Sequence, residues 1–219
     1  MKRTLDFIVA LIACLLLSPL LLPIIIILKL TGEGKIFYVQ QRIGLGGKKF
    51  GLLKFATMLE NSPNIGSGDI TTKNDPRVLP VGRFLRKTKL NELPQLFNIL
   101  LGDMSLVGPR PLTPRNFDFY GPDIQKVINN LQPGLTGVGS LVFRDEERYL
   151  HEAGQNPMEF YQNEIAPFKG SLEVWYADHQ SFFLDLQIIF LTAWAVLYPN
   201  TNAVRKQLKN LPTHPLFLK

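Results

Sequence analysis

Apolar and polar positions divide the chain into three regimes. Residues 7–28 are apolar almost without interruption and carry no charge. That is roughly 20 residues, about enough to cross a bilayer core as a helix. A signal peptide fits poorly: Lys2 and Arg3 would form its basic end, but no small-residue cleavage site follows, and the run is long for such a segment. A spanning helix and a helix that enters the membrane and returns both stay open. Ser18-Pro19 sits mid-run, with Pro23 close behind. Proline removes a backbone donor and kinks a helix, and a serine hydroxyl can satisfy a freed carbonyl. Lys2 and Arg3 before the run, with Lys29 and Lys35 after it, give no direction by the positive-inside rule.

The second regime is mixed. Ile36-Phe37-Tyr38-Val39 and Phe50–Phe55 read as short strands, and Gly44, Gly46 and Gly47 supply the turn of a hairpin. These glycines lack the strand–helix spacing of a nucleotide fingerprint. Residues 61–80, with Pro63, Gly66, Gly68, Pro76 and Pro80, form a long loop that includes Asp75-Pro76-Arg77. From Arg83 to Leu100 apolar residues recur at helical spacing. Pro94 requires a new helix to start near Asn91, with Asn91 as its N-cap and Glu92 complementing the helix dipole. Gly108-Pro109-Arg110-Pro111 cannot be regular structure and pins Arg110 in a turn. Residues 115–132 are helical in part, 132–137 a turn, and Leu141–Phe143 a short strand leading into Arg144. Asp145-Glu146-Glu147-Arg148 opens a polar helix.

The third regime is Leu186–Tyr198, about 13 apolar residues and too short to span. Trp175, Tyr176, Phe182, Phe183, Trp194 and Tyr198 lie in or near it, as aromatics at a membrane interface do; a buried core helix accounts for it equally well. The fold class is α+β and mostly helical. Residues 1–30 form a membrane helix, and 31–198 a small domain with a short hairpin and interfacial amphipathic helices. Residues 199–219 form a tail with Arg205, Lys206, Lys209 and Lys219 and no acid.

Charge sharpens this picture. The net charge is +6, and twelve of the 24 Lys and Arg fall between Lys29 and Lys89, against four Asp and Glu. A basic stretch directly after an apolar one suits an anionic membrane surface or a phosphate-rich ligand, although a solvated face has the same composition. One cysteine, Cys14, excludes a disulfide framework. His151, His179 and His214 are scattered and read as structural or surface residues. There is no phosphate-binding glycine loop, zinc-protease helix or nucleophile elbow. What remains is Lys54, Arg77, Arg86, Arg110 and Arg144, which could clamp phosphate oxygens. Glu92, Asp75, Asp103 and Asp145 could hold Mg²⁺ together with substrate phosphates.

The ordered motifs are more specific. KRTLDF, the Ser18-Pro19 break, Gln41-Arg42-Ile43-Gly44, Lys54-Phe55-Ala56-Thr57-Met58, Asp75-Pro76-Arg77, the run from Asn91 to Pro111 and PGLTG occur in succession from Lys2 to about Leu197. The chain thereby resembles the bacterial sugar transferases, the monotopic polyprenyl-phosphate phosphoglycosyl transferases. The resemblance implies a re-entrant helix broken at Ser18-Pro19 and a domain on the cytoplasmic leaflet of the bacterial inner membrane. It implies a nucleotide-diphosphate sugar, usually uridine-linked, as donor, polyprenyl phosphate as acceptor, Mg²⁺ as cofactor, and a place at the first membrane step of glycoconjugate assembly. Membrane lipids are the surroundings, no nucleic-acid partner is expected, and a homo-oligomer stays open.

In such enzymes an Asp-Glu dyad attacks the sugar-bearing phosphate and holds the metal. Glu92 matches the glutamate and metal ligand, Arg110 the nucleotide-side arginine, Lys54 the lysine of the strand motif, and Arg144 a phosphate-binding arginine. The dyad aspartate position is Asn91, and the arginine of the strand motif is Ala56. The acidic run Asp145, Glu146 and Glu147 lies beside Arg144, so Asp145, one of its neighbours, or Glu92 is the expected replacement. A catalytically inactive, membrane-anchored subunit of the same pathway is the alternative.

Overall fold

The apolar run forms α1 (Lys2–Leu30), the one helix among the described residues long and apolar enough to cross a membrane. The computed structural model describes residues 2–65, 71, 75–152, 154, 156–198 and 207–217. An antiparallel hairpin follows, β1 (Phe37–Ile43) on β2 (Lys49–Phe55), with Phe37 opposite Phe55 and Ile43 opposite Lys49. Then come α2 (Pro80–Lys87), a 3₁₀ turn at Leu90–Glu92 and α3 (Gln95–Leu101). Next are β3 (Ser105–Val107), α4 (Pro114–Phe117), α5 (Pro122–Asn129) and β4 (Gly134–Thr136), with β4 parallel to β3. The chain continues through α6 (Val138–Val142), α7 (Glu146–Glu152) and α8 (Pro157–Phe160), which passes by a π turn into α9 (Ala166–His179). The last helix is α10 (Phe182–Leu197), with the Ser181 hydroxyl accepting from the Leu184 amide as its cap.

Several expectations are met: the hairpin, the irregular Gly108–Pro111 segment, the partly helical 115–132 stretch and the mostly helical class. Others are corrected. The 132–137 turn contains a strand, because β4 is made by long-range pairing with β3 and its backbone lies against Gly108. A Cβ on Gly134 would stand 2.1 Å from the Gly108 nitrogen, so the approach needs glycine. Leu141–Phe143 belongs to α6 and its C-terminal edge, not to a strand; a three-residue apolar run carries no period of its own. Asn91 caps no helix. It lies inside the 3₁₀ turn, and α3 starts only after Pro94. Of the long 61–80 loop, 66–70 and 72–74 lie outside the described residues.

Ser18-Pro19 does not end α1, which stays helical through both prolines. Pro19 has no N–H for the Leu15 carbonyl, and the Ser18 hydroxyl donates to that carbonyl at 2.8 Å. The break is thus a local substitution in the hydrogen-bond ladder.

Both ends of α1 are fastened to the same body. At the start, Lys2 Nζ meets Asp185 Oδ2 at 2.5 Å and donates to the Val107 carbonyl at 3.0 Å and to Tyr176 Oη at 3.1 Å. Tyr176 in turn donates to Asp185 Oδ1 at 2.7 Å. Arg3 reaches the carbonyls of Ile99 and Leu100, and the buried Asp6 accepts from the Leu106 amide at 3.1 Å. Ala10 enters the main core beside Leu96 and Ile99. At the far end Ile24 and Leu28 form a second cluster with Phe55 and Leu85. A straight helix of this length measures about 43 Å, and its two ends share one partner.

The outward side of α1 stays apolar: Phe7, Ile8, Ile12, Leu15, Leu16, Leu22 and Ile26 are exposed. α10 does the same, burying Leu184, Ile188 and Leu191 while Phe182, Phe183 and Phe190 face out. The core reading of this helix therefore describes its buried face, and its other face exposes apolar side chains. In the expected tail, Leu208 is buried and Phe217 packs among Phe143, Tyr149, Phe160 and Phe168. Arg205, Lys206 and Lys219 lie outside the described residues.

Asp185→Ala leaves the Lys2 ammonium and the Tyr176 hydroxyl without their acceptor, and should lower stability by about 2 kcal/mol. Glu60→Gln, at the exposed 3.2 Å pair with Lys35, should cost less than about 0.5 kcal/mol. Thermal unfolding in detergent compares the two; equal small shifts would contradict the anchoring.

Candidate active site

The site gathers where the hairpin, the 89–92 turn and the 108–111 turn meet. Alternation along the hairpin puts Gln40 and Arg42 of β1 on the same face as Lys54 of β2. Gln40 Oε1 accepts from Arg42 at 2.6 Å and from Lys54 at 3.5 Å. Arg42 also donates to the Pro111 carbonyl at 3.0 Å, and the Ile43 amide to the Leu112 carbonyl at 2.9 Å, which ties the hairpin to the proline-rich turn. That turn is held from its other side by Gly108 N to Thr136 O, 2.9 Å, and Gly134 N to Pro109 O, 2.8 Å.

Arg110 projects from this turn onto Glu92 as a fork, Nη2 to Oε1 at 2.6 Å and Nη1 to Oε2 at 3.3 Å. Glu92 stands at the end of a turn entered through Lys89, a non-glycine residue at φ 61°. A left-handed lysine is a strained choice, and strain of this kind concentrates at functional positions. Burial alone would raise the Glu92 carboxyl. The charge and hydrogen bonds of Arg110, with Lys54 and Lys89 behind it, outweigh burial and hold the carboxyl well below the usual range. Arg110 is raised in return, chiefly by Glu92. Desolvation, with Arg42, Arg110 and Arg86 nearby, pushes Lys54 well below an ordinary lysine, although Glu92 opposes the shift. Lys89 is lowered too, chiefly by desolvation beside this cluster, although the residue keeps an exposed surface. Glu92 thus meets Arg110 with Lys54 and Lys89 behind it, and Arg42 and Arg86 lie near Lys54, an arrangement suited to a polyanion.

The expected site residues divide into groups. Lys54, Glu92 and Arg110 come together. Arg86 joins through Glu147, at 3.2 Å, and through Met58. Arg144, where α6 hands over to α7, has a buried Nη1 with no hydrogen-bond partner among the described residues. Arg77 stands apart: it is buried against Asp75, Nη2 to Oδ2 at 2.6 Å, and donates to the Ser62 and Ile65 carbonyls, so it pins the 61–80 loop. Asp103 accepts from Asn98 at 3.2 Å. Within the acidic run, Glu146 pairs with Lys169, Glu147 with Arg86, and Asp145 is exposed. Arg42, Lys89, Lys169 and Glu173 were not anticipated. Arg42 had a signal in the Gln41–Gly44 motif, and Lys89 in its place just ahead of Asn91-Glu92.

No group of three or more His, Cys, Asp or Glu side chains gathers among the described residues. Asn91 is only 6% exposed, and its Oδ1 has no hydrogen-bond partner among the described residues. A buried amide oxygen without a partner, one residue before the Glu92 carboxylate in the chain, has the donor chemistry of a hard divalent cation that takes its other oxygens from phosphates and water.

Because Lys54 is depressed, it should react with an amine-directed reagent at lower pH than the exposed Lys35. Glu92→Gln removes the group that opposes this depression, so the onset for Lys54 should move lower still. Peptide mass spectrometry reads both, and a common onset for Lys54 and Lys35 would contradict the electrostatics described.

The family model described as bacterial sugar transferase matches residues 1–199. The undecaprenyl-phosphate galactose phosphotransferase of Salmonella typhimurium is 34% identical over 90% of this chain and 40% of its own length. The exopolysaccharide production protein ExoY of Rhizobium meliloti is 35% identical over 89% of this chain and 84% of its own. The UDP-glucose:undecaprenyl-phosphate glucose-1-phosphate transferase of Caulobacter vibrioides is 36% identical over 90% of this chain and 69% of its own. The chain spans about two fifths of the Salmonella protein and of a similar sugar transferase from Haemophilus influenzae. With nearly its whole length matched, the chain belongs to the bacterial sugar transferase family.

Proposed function

We propose that this chain transfers a sugar phosphate from a nucleotide-diphosphate sugar, most simply a UDP-sugar, to a polyprenyl phosphate such as undecaprenyl phosphate. The reaction serves an early membrane step of exopolysaccharide or related glycoconjugate assembly. The observation that carries this reading is the Glu92–Arg110 fork with Lys54 and Lys89 behind it and Arg42 and Arg86 near Lys54. The relatives' names add the substrate class: a galactose phosphotransferase and glucose-1-phosphate transferases acting on undecaprenyl phosphate. Neither those names nor the retained cluster supports the inactive-subunit alternative.

Arg110, Lys54 and Lys89 neutralise and orient the diphosphate, and the unpartnered Nη1 of Arg144 takes one more phosphate oxygen. Positioning and charge neutralisation are the main protein contributions to phosphoryl transfer. Glu92 and Asn91 Oδ1 are the groups that would hold Mg²⁺, which when bound offsets charge on the donor's phosphates. Asn91 cannot attack as a carboxylate would. Within the 145–147 run only Asp145 has no ion pair among the described residues, and we assign it that attack. Its carboxylate oxygen bonds to the sugar-bearing phosphorus while the bond to the bridging oxygen breaks, and nucleoside monophosphate leaves with the electron pair. A phosphate oxygen of the polyprenyl acceptor then attacks the same phosphorus and displaces the carboxylate.

The acceptor is a lipid, and the exposed apolar faces of α1 and α10 supply its surroundings. We place α1, continuous through both prolines and with both ends on one body, in a single leaflet, with the site facing the cytoplasm.

Purified protein in detergent, given Mg²⁺, polyprenyl phosphate and a panel of UDP-sugars, should release UMP. Glu92→Gln should lower the rate by roughly 10²-fold or more, the scale for losing a charge-positioning group in a phosphoryl-transfer site. Unchanged turnover in Asp145→Asn would remove Asp145 as the attacking group and leave Glu92, a neighbouring acid or the acceptor phosphate in that place. No UMP from wild type with any donor would overturn the transferase reading.

A further inference from the structure

Arg77, Arg86 and Arg110 each meet a carboxylate, and the three pairs are built differently. Arg77 and Asp75 are sealed in the interior, each side chain 3% exposed, and Asp75 accepts from Nε at 2.9 Å and from Nη2 at 2.6 Å. Arg110 and Glu92 form a fork of two bonds, with the Glu92 side chain 16% exposed. Arg86 and Glu147 share one bond, Nη2 to Oε1 at 3.2 Å, and the Glu147 side chain is 52% exposed. The other arm of the Arg86 guanidinium meets the Met58 sulfur at 3.7 Å, a weak acceptor. Two-bonded pairs between arginine and carboxylate are strong. A single half-exposed pair contributes little, because water screens it. Of the three, the Arg86–Glu147 pair is the one that a phosphate can displace.

Arg86 is tied to the site through the backbone. Its carbonyl accepts from the Lys89 amide at 3.2 Å, and the Lys89 carbonyl accepts from the Glu92 amide at 3.1 Å. These two bonds join Arg86 to the turn that presents Glu92 to Arg110. Glu147 arrives from a distant part of the chain, in the first turn of α7. Its neighbour Glu146 pairs with Lys169, which is buried in α9. Two adjacent acids of α7 thus have partners of different kinds, one deep in the body and one at the rim of the site.

We propose that Glu147 competes with the donor's phosphate for Arg86: the carboxylate holds the guanidinium at the rim, and a diphosphate that binds there takes its place. The inference rests on the transferase reading and extends it to how the site admits its donor. Glu146 keeps α7 on the body through Lys169, while Glu147 gives up its partner. The sign of its effect sets this role apart from others. Loss of a plain surface pair leaves donor binding as it is. Loss of a brace between α2 and α7 loosens the site and weakens binding. Loss of a competitor strengthens it.

UDP, the part common to UDP-sugar donors, is titrated calorimetrically into the full chain in detergent with Mg²⁺. Glu147→Gln, nearly the same size, should bind UDP about two- to fivefold more tightly than wild type, the range set by a half-exposed ion pair. Arg86→Gln should bind UDP more weakly, and in that background Glu147→Gln should add nothing, since the group competed for is gone. Equal or weaker binding by Glu147→Gln, or the same gain in the Arg86→Gln background, would overturn the competition. Inorganic pyrophosphate separates this inference from the reading beneath it. A wild type that binds pyrophosphate, with the gain in Glu147→Gln, but binds no UDP and releases no UMP would overturn the transferase reading and leave the competition at Arg86. Binding of neither ligand by any variant would overturn both.

Discussion

The structure depends on the fastening of α1 at its first turn. An apolar helix of this length left to itself would be free to cross a bilayer and leave its two ends on opposite sides. Here Lys2 is held by Asp185, Tyr176 and the Val107 carbonyl, and Asp6 by the Leu106 amide, while Ile24 and Leu28 pack with Phe55 and Leu85. The same contacts hold β3, whose last residue, Val107, leads directly into Gly108-Pro109-Arg110. The membrane element and the principal arginine of the site are therefore two residues of chain and one hydrogen bond apart. Loosening the first turn of α1 loosens the strand that carries Arg110.

Around that frame, charge is arranged unevenly. Glu92 is the acid with the largest effect on Lys54, Lys89 and Arg110 among the described residues, and it stays ionised because of them. Cations in excess of acids remain costly until a polyanion arrives, which is the condition under which a diphosphate binds well. Arg77 shows the contrast. It is equally basic, but its charge is met by Asp75 and two carbonyls in the interior, so it serves the loop and not the ligand.

The legible part of the fold was local. The hairpin declared itself by alternation and a glycine turn, and the Gly108–Pro111 segment by its prolines. β4 could not be read, since a parallel pair depends on a partner thirty residues away, and α6 hid in an apolar run too short to show a period. Asn91 looked like a cap because the residue type favours one, but Pro94 delays the helix and the amide turns inward. Residue chemistry alone put Lys54, Glu92 and Arg110 in a wide set with Arg77, Asp75 and Asp103; only the family resemblance singled the three out, because no spacing links positions 54, 92 and 110. Lys169 and Glu173 carry no signal in the sequence, and both are buried in α9. Only packing of α9 against α6 reveals them as interior groups.

The most direct measurement of the central claim is the sidedness of α1. With Cys14→Ser as background, single cysteines at the exposed positions Thr4→Cys and Lys35→Cys are treated with a membrane-impermeant thiol reagent in intact cells and in inverted membrane vesicles. The account predicts that both label in inverted vesicles and neither in intact cells. Labelling of one from each side would mean that α1 crosses the membrane, and the common anchoring of its two ends would be wrong.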